Sequence, residues 1–360
     1  MKFTAEDARE VLGSYHALLG EVQRPQRNPL STPVSLERVD LPFLLANRRD
    51  YVVSPKADGR RVALFFTKTS NCGCVAVAID RALTVQLVRS RGPRRVFDLG
   101  TILDCELVTD TYLIFDVLVF MGEDVRSLDY LSRLEKAKSL TNRLDLVEQR
   151  RRMRLCVKDV APLDELQRVL DAMPKLAYET DGLVLTPIRA AVRAGTHREM
   201  FKLKTLHSID LQVRLKSREL LVGLGGGPST ATARSPLPLD DGLVVDEDFW
   251  PLAEALGLAE DGIVECALTL QGSAIVLSAQ RLRNDKRHPN SLETVRRTVV
   301  NVRENIKVDE LTALLERSAE ARQPSAQPPS AQPSSVQQHA ALQPPSKRPR
   351  LHAAGDRSVR

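Results

Sequence analysis

The chain has 360 residues, 42% of them hydrophobic, which is enough to bury a sizeable core and leaves room for two or three domains. The formal net charge is +6, but residues 318–360 alone carry a net +4, so the body is nearly neutral and permits a nucleic-acid substrate without demanding one. Five cysteines without regular spacing argue against a disulfide framework, and we find no membrane-length apolar run and no signal pattern, so we expect a soluble protein of a reducing intracellular compartment.

The first predicted elements are helical. Residues 1–20 have the spacing of an amphipathic helix, with Val11 and Leu18 on its apolar side. Three prolines in residues 23–33 predict a linker that runs over the surface. Residues 36–47 then predict one or two helical turns that lead into a strand.

The stretch from Tyr51 to Phe66 predicts a strand, a tight turn and a second strand, with Lys56 and Arg61 at the mouth of the turn. A lysine becomes a nucleophile once its proton is removed, and desolvation and neighbouring cations depress the pKa of an ammonium group. The alternative is a solvated surface lysine, as most lysines are. Lys56 is therefore a candidate nucleophile that needs support from the rest of the chain.

Two pairs of neighbouring strands are predicted next. Their segments are Val75–Asp80, Leu83–Val88, Thr101–Val108 and Tyr112–Phe120. Because side chains alternate across a strand, Asp104 and Glu106 share one face of the third segment. Two acids on an otherwise apolar strand are costly unless they are solvated, paired or metal-bound, and carboxylate oxygens are the ligands that Mg²⁺ prefers.

Residues 127–172 are rich in Leu, Glu, Arg and Lys and predict helices. The apolar residues at helical spacing are Leu128, Leu131, Leu134, Leu144 and Val147. Arg151–Val160 interrupts this region as a short strand that carries Lys158.

Two further strands, Tyr178–Pro187 and Met200–Lys204, bring one acid and two lysines. Asp181 is a second acid that could share a cation with the first acidic strand. Lys202 and Lys204 lie at i and i+2, on one face of their strand. Two cations aimed together suit an α-phosphate that gains charge during transfer.

After Asp210, short β-branched runs separated by turns predict a small β-barrel, and an OB-fold fits. The runs are Leu211–Val213, Leu220–Val222, Gly242–Val245, Gly262–Leu270 and Ala274–Ala279. A glycine-rich insertion at 223–238 separates two of them, and Ser291–Ser318 predicts closing helices. We therefore divide the chain into a first domain (1–210), a barrel domain with closing helices (211–318) and a tail (319–360).

The tail is rich in Pro, Ser and Gln. Residues 322–360 have nothing to bury, so we expect disorder. Lys347–Arg350 belongs to a compact basic cluster of the nuclear-localisation type, which predicts a nuclear protein. The alternative is a basic tail that contacts RNA.

Taken in order, these motifs resemble the covalent nucleotidyltransferases, the superfamily of mRNA capping guanylyltransferases and ATP-dependent DNA and RNA ligases. The motifs are Lys56-Ala-Asp-Gly59, Asp104-Cys-Glu106, Phe115-Asp116, Glu179-Thr-Asp181-Gly182, Lys202-Leu-Lys204 and Arg283-Asn-Asp285-Lys286-Arg-His-Pro289-Asn290. The last motif resembles the capping branch, and the resemblance spans roughly residues 40–315. It implies an α+β fold, in which an ATP-grasp-like nucleotidyltransferase domain of antiparallel sheets precedes an OB-fold barrel.

The resemblance also implies a role for each motif residue. Lys56 would be the catalytic nucleophile, and Glu106 and Asp181 would be metal ligands. The GTP-binding residues would be Arg61 and Arg81 on ribose and phosphates, Phe115 stacked on the base, Lys158 at the guanine edge, Lys202 and Lys204 on the α-phosphate, and Arg283, Asp285 and Lys286 on the β- and γ-phosphates. The alternatives are a turn arginine at 81, a core phenylalanine at 115 and a solvated lysine at 158.

The implied reaction has two steps that use GTP and Mg²⁺, with Mn²⁺ able to substitute. A lysyl–GMP phosphoramidate forms first, and a 5′-diphosphate RNA end then accepts the GMP to give a GpppN cap. The implied partners are a separate RNA triphosphatase, a cap methyltransferase and the transcription machinery, with no membrane. The alternatives are an ATP-dependent polynucleotide ligase and an inactive relative that binds nucleotide or RNA.

Overall fold

Three β-sheets flanked by helices form the part of the chain that the computed structural model describes, namely residues 3–20, 30–224, 233–239, 242–284 and 286–320. The strands are β1 (Ser31–Ser35), β2 (Tyr51–Ala57), β3 (Arg60–Thr69), β4 (Gly73–Ile79), β5 (Val85–Arg91), β6 (Thr101–Val108), β7 (Thr111–Phe120), β8 (Glu123–Asp124), β9 (Asp145–Glu148), β10 (Arg151–Val157), β11 (Ala161–Pro162), β12 (Thr180–Pro187), β13 (Gly195–Lys204), β14 (His207–Arg214), β15 (Glu219–Gly223), β16 (Arg234–Pro236), β17 (Leu243–Val245), β18 (Asp261–Gln271) and β19 (Ala274–Leu282). The helices are α1 (Ala5–Leu18), α2 (Leu41–Ala46), α3 (Arg94–Asp98), α4 (Tyr130–Thr141), α5 (Leu166–Ala172), α6 (Phe249–Ala255), α7 (Leu292–Glu304) and α8 (Val308–Glu320).

The first sheet has the strand order β1-β13-β12-β2-β11. Strand β1 pairs with β13 in parallel, and the other neighbours are antiparallel. One face is covered by helices, because apolar residues such as Leu185 and Phe201 form a buried cluster with Leu44 and Leu311. The strands that carry Lys56, Asp181 and the two lysines of β13 are thus neighbours.

The second sheet has the order β10-β9-β5-β4-β3-β6-β7-β8, and β10 also pairs in parallel with β7. This extra pairing closes seven of the strands into a ring. The ring is filled by buried residues such as Val62, Leu64 and Leu103. Helix α1 packs on the outside, where Val11 and Tyr15 join a second apolar cluster with Phe65.

The third sheet has the order β16-β15-β14-β18-β19-β17. Its core contains Leu211 and Val264 from the strands, Phe249 from α6 and Val295 from α7. The small β-rich unit predicted after residue 210 is therefore present, with β14 beginning slightly earlier. The proposed domain boundary itself stays a prediction.

After α7 the chain returns to the first sheet. Asn305 takes a left-handed conformation (φ 46°) at the end of α7, and α8 then packs its Leu311 and Leu315 into the core of the first sheet. Arg38 strengthens this contact from the other side, donating to Glu310 at 2.6 Å. The last helix thereby ties the part of the chain that follows the third sheet to the first sheet.

Most of the predicted elements are confirmed, including the strands on both sides of the Lys56 turn and the pair 101–108 and 112–120. Two expectations were wrong. Leu144 and Val147 lie beside or in strand β9, not in a helix, because Asn142 ends α4 and β9 pairs with both β5 and β10. Residues 31–33, predicted as linker, belong to β1 because this segment adds an edge to the first sheet.

Other expectations fall partly or wholly outside the described residues. These are residues 225–232, half of the glycine-rich insertion, and the basic tail from residue 321 on, with Lys347–Arg350. Within the described residues, no helix is long and apolar enough to cross a membrane.

Candidate active site

The turn between β2 and β3 joins the first two sheets, and side chains from both of them meet beside it. Gly59 is required in this turn, because a Cβ there would lie 2.6 Å from the carbonyl oxygen of Leu107. The turn is also fixed from the first sheet, since the backbone N–H of Asp58 donates to the Glu179 carbonyl at 2.9 Å. Lys56 precedes this turn and Arg61 follows it, as the sequence predicted.

Lys56 belongs to a cluster of three lysines around one carboxylate. Its Nζ donates to Oδ1 of Asp181 at 2.6 Å, and Lys204 reaches Oδ2 of the same carboxylate at 2.7 Å. Lys202 lies on the same face as Lys204, and its pKa is lowered to about 8 by burial and then by the charges of Lys204 and Lys56. The paired lysines of β13 are thus confirmed as neighbours of Lys56.

A bulge at Gly182 sets the position of Asp181. The pairing of β12 with β2 shifts register between Thr180 and Leu183, and Gly182 has φ +142°. A Cβ on Gly182 would lie 2.0 Å from the Leu203 carbonyl oxygen, so only glycine fits. The backbone can therefore bring Asp181 against the two lysines.

On the second sheet, Arg61 and Asp104 form a bidentate ion pair with N–O distances of 2.9 and 2.5 Å. Asp104 is buried, so its cost on an apolar strand is offset by pairing and not by solvent or metal. The Arg61 guanidinium lies 5.1 Å from the centre of the Phe115 ring. Arg61 is thus held in place beside an aromatic surface.

Phe115 points into the site because it is the extra residue of a β-bulge. In the pairing of β6 with β7, Asp104 is opposite Asp116 and Cys105 is opposite Ile114, which leaves Phe115 without a partner. The ring is half-buried, and Nζ of the buried Lys158 lies 5.8 Å from its centre. Phe115 is not fully buried, as a core phenylalanine would be, and Lys158 is not exposed, as a solvated lysine would be.

Glu106 and Lys158 are an interacting pair of partly or fully buried charges. Burial raises the pKa of Glu106 to about 7, against the opposing effect of Lys56 and Lys158. Burial also lowers the pKa of Lys158 to about 8, opposed by Glu106. Within the described residues the Glu106 carboxylate makes no hydrogen bond or ion pair, so it has acceptor capacity left for a ligand.

These residues offer few protein ligands for a metal ion. The described residues contain no group of three His, Cys, Asp or Glu side chains placed to hold an ion. Glu106 offers an uncommitted carboxylate, whereas both oxygens of Asp181 are engaged by lysines. This donor set fits Mg²⁺, which commonly takes one or two carboxylates and completes its shell with substrate phosphates and water.

One buried ion pair behind the site was missed by the sequence reasoning. Arg133 on α4 is fully buried and donates to both oxygens of Asp116, at 2.6 and 3.0 Å. Asp116 is the residue after the bulged Phe115, so the pair anchors the bulge to a helix. The signal available in the sequence was an arginine among leucines on the apolar side of a predicted helix.

On the barrel side, Arg283 and Lys286 converge on the buried Asp210. Arg283 contacts Asp210 at 3.1 Å and Glu265 at 3.2 Å, and Lys286 also pairs with Asp210. Asn290 accepts from the Asp210 backbone N–H at 2.8 Å. Asp210, which we had used only as a boundary, is thus the residue that organises this motif.

Arg81 connects the two sides electrostatically. It lies in the exposed turn after β4, and its pKa is lowered by partial desolvation, then by Arg61, with a smaller contribution from Arg283. The remaining predicted residue of the barrel motif, Asp285, lies outside the described residues.

A lysine held with two others around one carboxylate, beside a second sheet that presents an aromatic ring, is an arrangement expected of a nucleotidyltransferase. Comparison with known proteins agrees: residues 2–206, more than half of the chain, match the family of mRNA capping enzyme catalytic domains. The chain belongs to this family.

Individual relatives carry the same name. The chain is 25% identical over 338 residues to the mRNA-capping enzyme subunit alpha of Neurospora crassa, covering 79% of this chain and 83% of that protein. It is 25% identical over 340 residues to the mRNA-capping enzyme of Danio rerio, covering 84% of this chain and 54% of that protein. Among solved structures, a mycobacterial DNA ligase D complexed with ATP and MES matches with a TM-score of 0.38 and 14% identity, covering 72% of this chain and 95% of that chain.

Proposed function

We propose that this protein transfers GMP from GTP, through a phosphoramidate on Lys56, to the 5′-diphosphate end of RNA, forming the GpppN cap. The observation that supports this most directly is the cluster in which Asp181 holds Lys56 beside Lys204, with Lys202 on the same face. Three lysines close together form a site for an anionic phosphate, and burial together with the charges of Lys204 and Lys56 lowers the pKa of Lys202. The family assignment points to the same chemistry.

In the first step, the neutral amine of Lys56 attacks the α-phosphorus of GTP and pyrophosphate leaves. Asp181 orients the amine through its 2.6 Å contact. Lys202 and Lys204 then stabilise the charge that develops on the α-phosphate oxygens. In the second step an oxygen of the RNA diphosphate attacks the same phosphorus, and Lys56 leaves as an amine.

Recognition of the base would be the task of Phe115 and Lys158. The bulge presents the Phe115 ring for stacking, and Arg61 and Arg81 would contact ribose and phosphates. A lysine beside the base favours guanine, whose O6 accepts a hydrogen bond, over adenine, whose N6 donates.

Mg²⁺ would be held by Glu106 together with phosphate oxygens, with Asp181 as the second acid of the site. The ion would supply a Lewis acid that withdraws charge from the transferring phosphate, and Mn²⁺ would substitute. The raised pKa of Glu106 means that the ligand is in its ionised form only near and above neutral pH.

The third sheet would be an OB-fold that acts as a lid. Arg283 and Lys286, together with Asp285, would contact the β- and γ-phosphates and orient pyrophosphate as the leaving group. The charge of Arg283 contributes to lowering the pKa of Arg81. This supports the proposal, because it indicates that the two arginines lie close enough to interact. Such a lid must open before RNA enters.

We further propose the biological setting. Fungal relatives are named subunit alpha, which implies a partner subunit, and we assign that role to a separate RNA triphosphatase. A cap methyltransferase would complete the cap, the transcription machinery would supply the RNA, and the basic cluster Lys347–Arg350 would direct nuclear import.

The test is incubation with α-labelled GTP and Mg²⁺, followed by a denaturing gel. We expect a covalent label that Lys56→Arg abolishes, because arginine keeps the charge but does not deprotonate. Lys68→Arg, at an exposed ion pair of β3, is the matched control and should label normally. Labelling by ATP alone would favour a ligase, and no labelling by either nucleotide would favour an inactive relative.

A further inference from the structure

A cleft of about 510 Å³ lies beside the third sheet, and none of its lining residues belongs to the first or the second sheet. We call it the barrel cleft. The polar residues that line it include Gln212, Arg234, Asp261, Arg283, Lys286 and Arg287. Four of these side chains are basic and one is acidic, so the cleft suits a polyanion.

The barrel cleft begins at the residues that the proposed function assigns to pyrophosphate. Asp210 and Gln212 lie at i and i+2 on β14, so their side chains share the outer face of this strand. Asp210 holds Arg283 and Lys286, and Gln212, roughly 7 Å further along, holds Arg234. The cations therefore form a row that leads away from the nucleotide.

Arg234 is fixed in orientation from two sides. Its Nε donates to Oε1 of Gln212 at 2.9 Å, and one terminal nitrogen contacts Nδ1 of His288 at 2.9 Å. Gln212 is itself held, because its amide donates to both oxygens of Asp261 at 2.9 Å. Arg287 is exposed and makes no ion pair within the described part of the chain.

The chemistry of the second step places the RNA on this side. Displacement at phosphorus is in line, so pyrophosphate leaves opposite Lys56 in the first step. In the second step the bond from phosphorus to Lys56 breaks, and the RNA oxygen enters opposite it, where pyrophosphate left. Once the lid has opened to admit it, the RNA end therefore lies on the side from which Arg283 and Lys286 reach the site.

We propose that the barrel cleft binds the backbone phosphates of the RNA strand just behind its 5′-diphosphate, with Arg234 and Arg287 as the contacting cations. This inference rests on the proposed function for the direction of the strand. Leu258, Ile263 and Leu282 also line the cleft, but Leu258 and Ile263 are buried, so the cations are its main binding groups.

The test uses the full chain and a fluorescent single-stranded RNA of twelve nucleotides with a 5′-diphosphate. In anisotropy titrations, the double variant Arg234→Ala/Arg287→Ala should bind this RNA about fivefold to tenfold more weakly than wild type at low salt. Over a salt series, the slope of log K against log salt should be smaller by about 0.7 for each arginine removed. Arg296→Ala, which removes an exposed charge outside the cleft lining, should change neither quantity. Asp261→Asn should tighten binding, an effect that misfolding does not produce.

The same variants separate the cleft from the nucleotide site. Covalent labelling by GTP should be unchanged, and in GMP transfer the KM should rise for the twelve-nucleotide acceptor but not for a 5′-diphosphate dinucleotide. An unchanged salt slope, an equal effect of the Arg296 control, or loss of labelling would overturn the proposal. A variant that weakens binding of an acidic phosphopeptide but not of RNA would overturn it in favour of a protein partner. If wild-type protein is not labelled by GTP, the proposed function fails, while the RNA salt series still decides the role of the cleft.

Discussion

Glu106→Gln should stabilise the free protein at pH 8 while removing its activity. The pKa of Glu106 is raised to about 7, chiefly by burial, whereas in the unfolded chain it is near 4.5. Between these values the folded state binds more protons than the unfolded state, so stability falls as pH rises through this window. The ionised carboxylate then costs about 3 kcal/mol at pH 8 but about 1 kcal/mol at pH 5. The difference between the two pH values is about 2 kcal/mol, and partial loss of the Lys158 charge at pH 8 does not reduce it, because that charge favours the ionised carboxylate.

The assay is urea unfolding of wild type and Glu106→Gln at pH 5 and pH 8, in the absence of nucleotide and divalent metal. We expect the variant to gain about 2 kcal/mol relative to wild type on going from pH 5 to pH 8. Glu135→Gln, at an acid that is 73% exposed, is the control and should show no such change. If the stability difference is the same at both pH values, Glu106 is not a buried acid held for ligand binding and the reasoning fails.

Three further predictions concern the supporting structure. Arg133→Met should lower the free energy of unfolding, measured in urea, by about 3–5 kcal/mol, because it leaves Asp116 buried and unpaired. Adding Asp116→Leu should recover much of this loss, and no recovery would contradict the pairing. Gly182→Ala should lower GTP labelling at least about tenfold, since its Cβ meets a backbone carbonyl, whereas Gly195→Ala has open space and should label nearly normally; equal loss would refute the steric argument. His197 is buried, its ring nitrogens have no hydrogen-bond partner among the described residues, and desolvation lowers its pKa. As pH falls from 7 to 5 the unfolded state therefore takes up this proton first, and His197→Leu should become more stable relative to wild type; a constant difference would exclude this titration.

The residues proposed to act on phosphate could be located from sequence because they lie on short strands of strong β pattern. Lys202 and Lys204 had to share a face, and the turn at Gly59 had to bring Lys56 and Arg61 to one mouth. These inferences need only local geometry. They would hold for any packing of the sheets that leaves the faces intact.

The parts that sequence could not predict depend on register and on distant partners. The alternation of side chains along β7 does not show that Phe115 is the extra residue of a bulge, because the bulge exists only in the pairing of β7 with β6. Asp104 looked equally suited to a metal until the structure paired it with Arg61. Asp210 is 73 residues from Arg283 along the chain, so no local pattern relates the two.

The return of α8 to the first sheet has a mechanical consequence. Within the described residues, the third sheet with α6 and α7 is joined to the other two sheets by two chain crossings, one between Lys204 and His207 and one at Asn305. They lie side by side, since His207 and Ile306 line one small cavity. A body attached at two neighbouring points loses most of its freedom to slide or translate, and what remains is rotation about the line through them. Closure of the barrel over a nucleotide would then follow one path, and a substitution that loosens the anchoring of α8 would act on the barrel's motion without touching either binding surface.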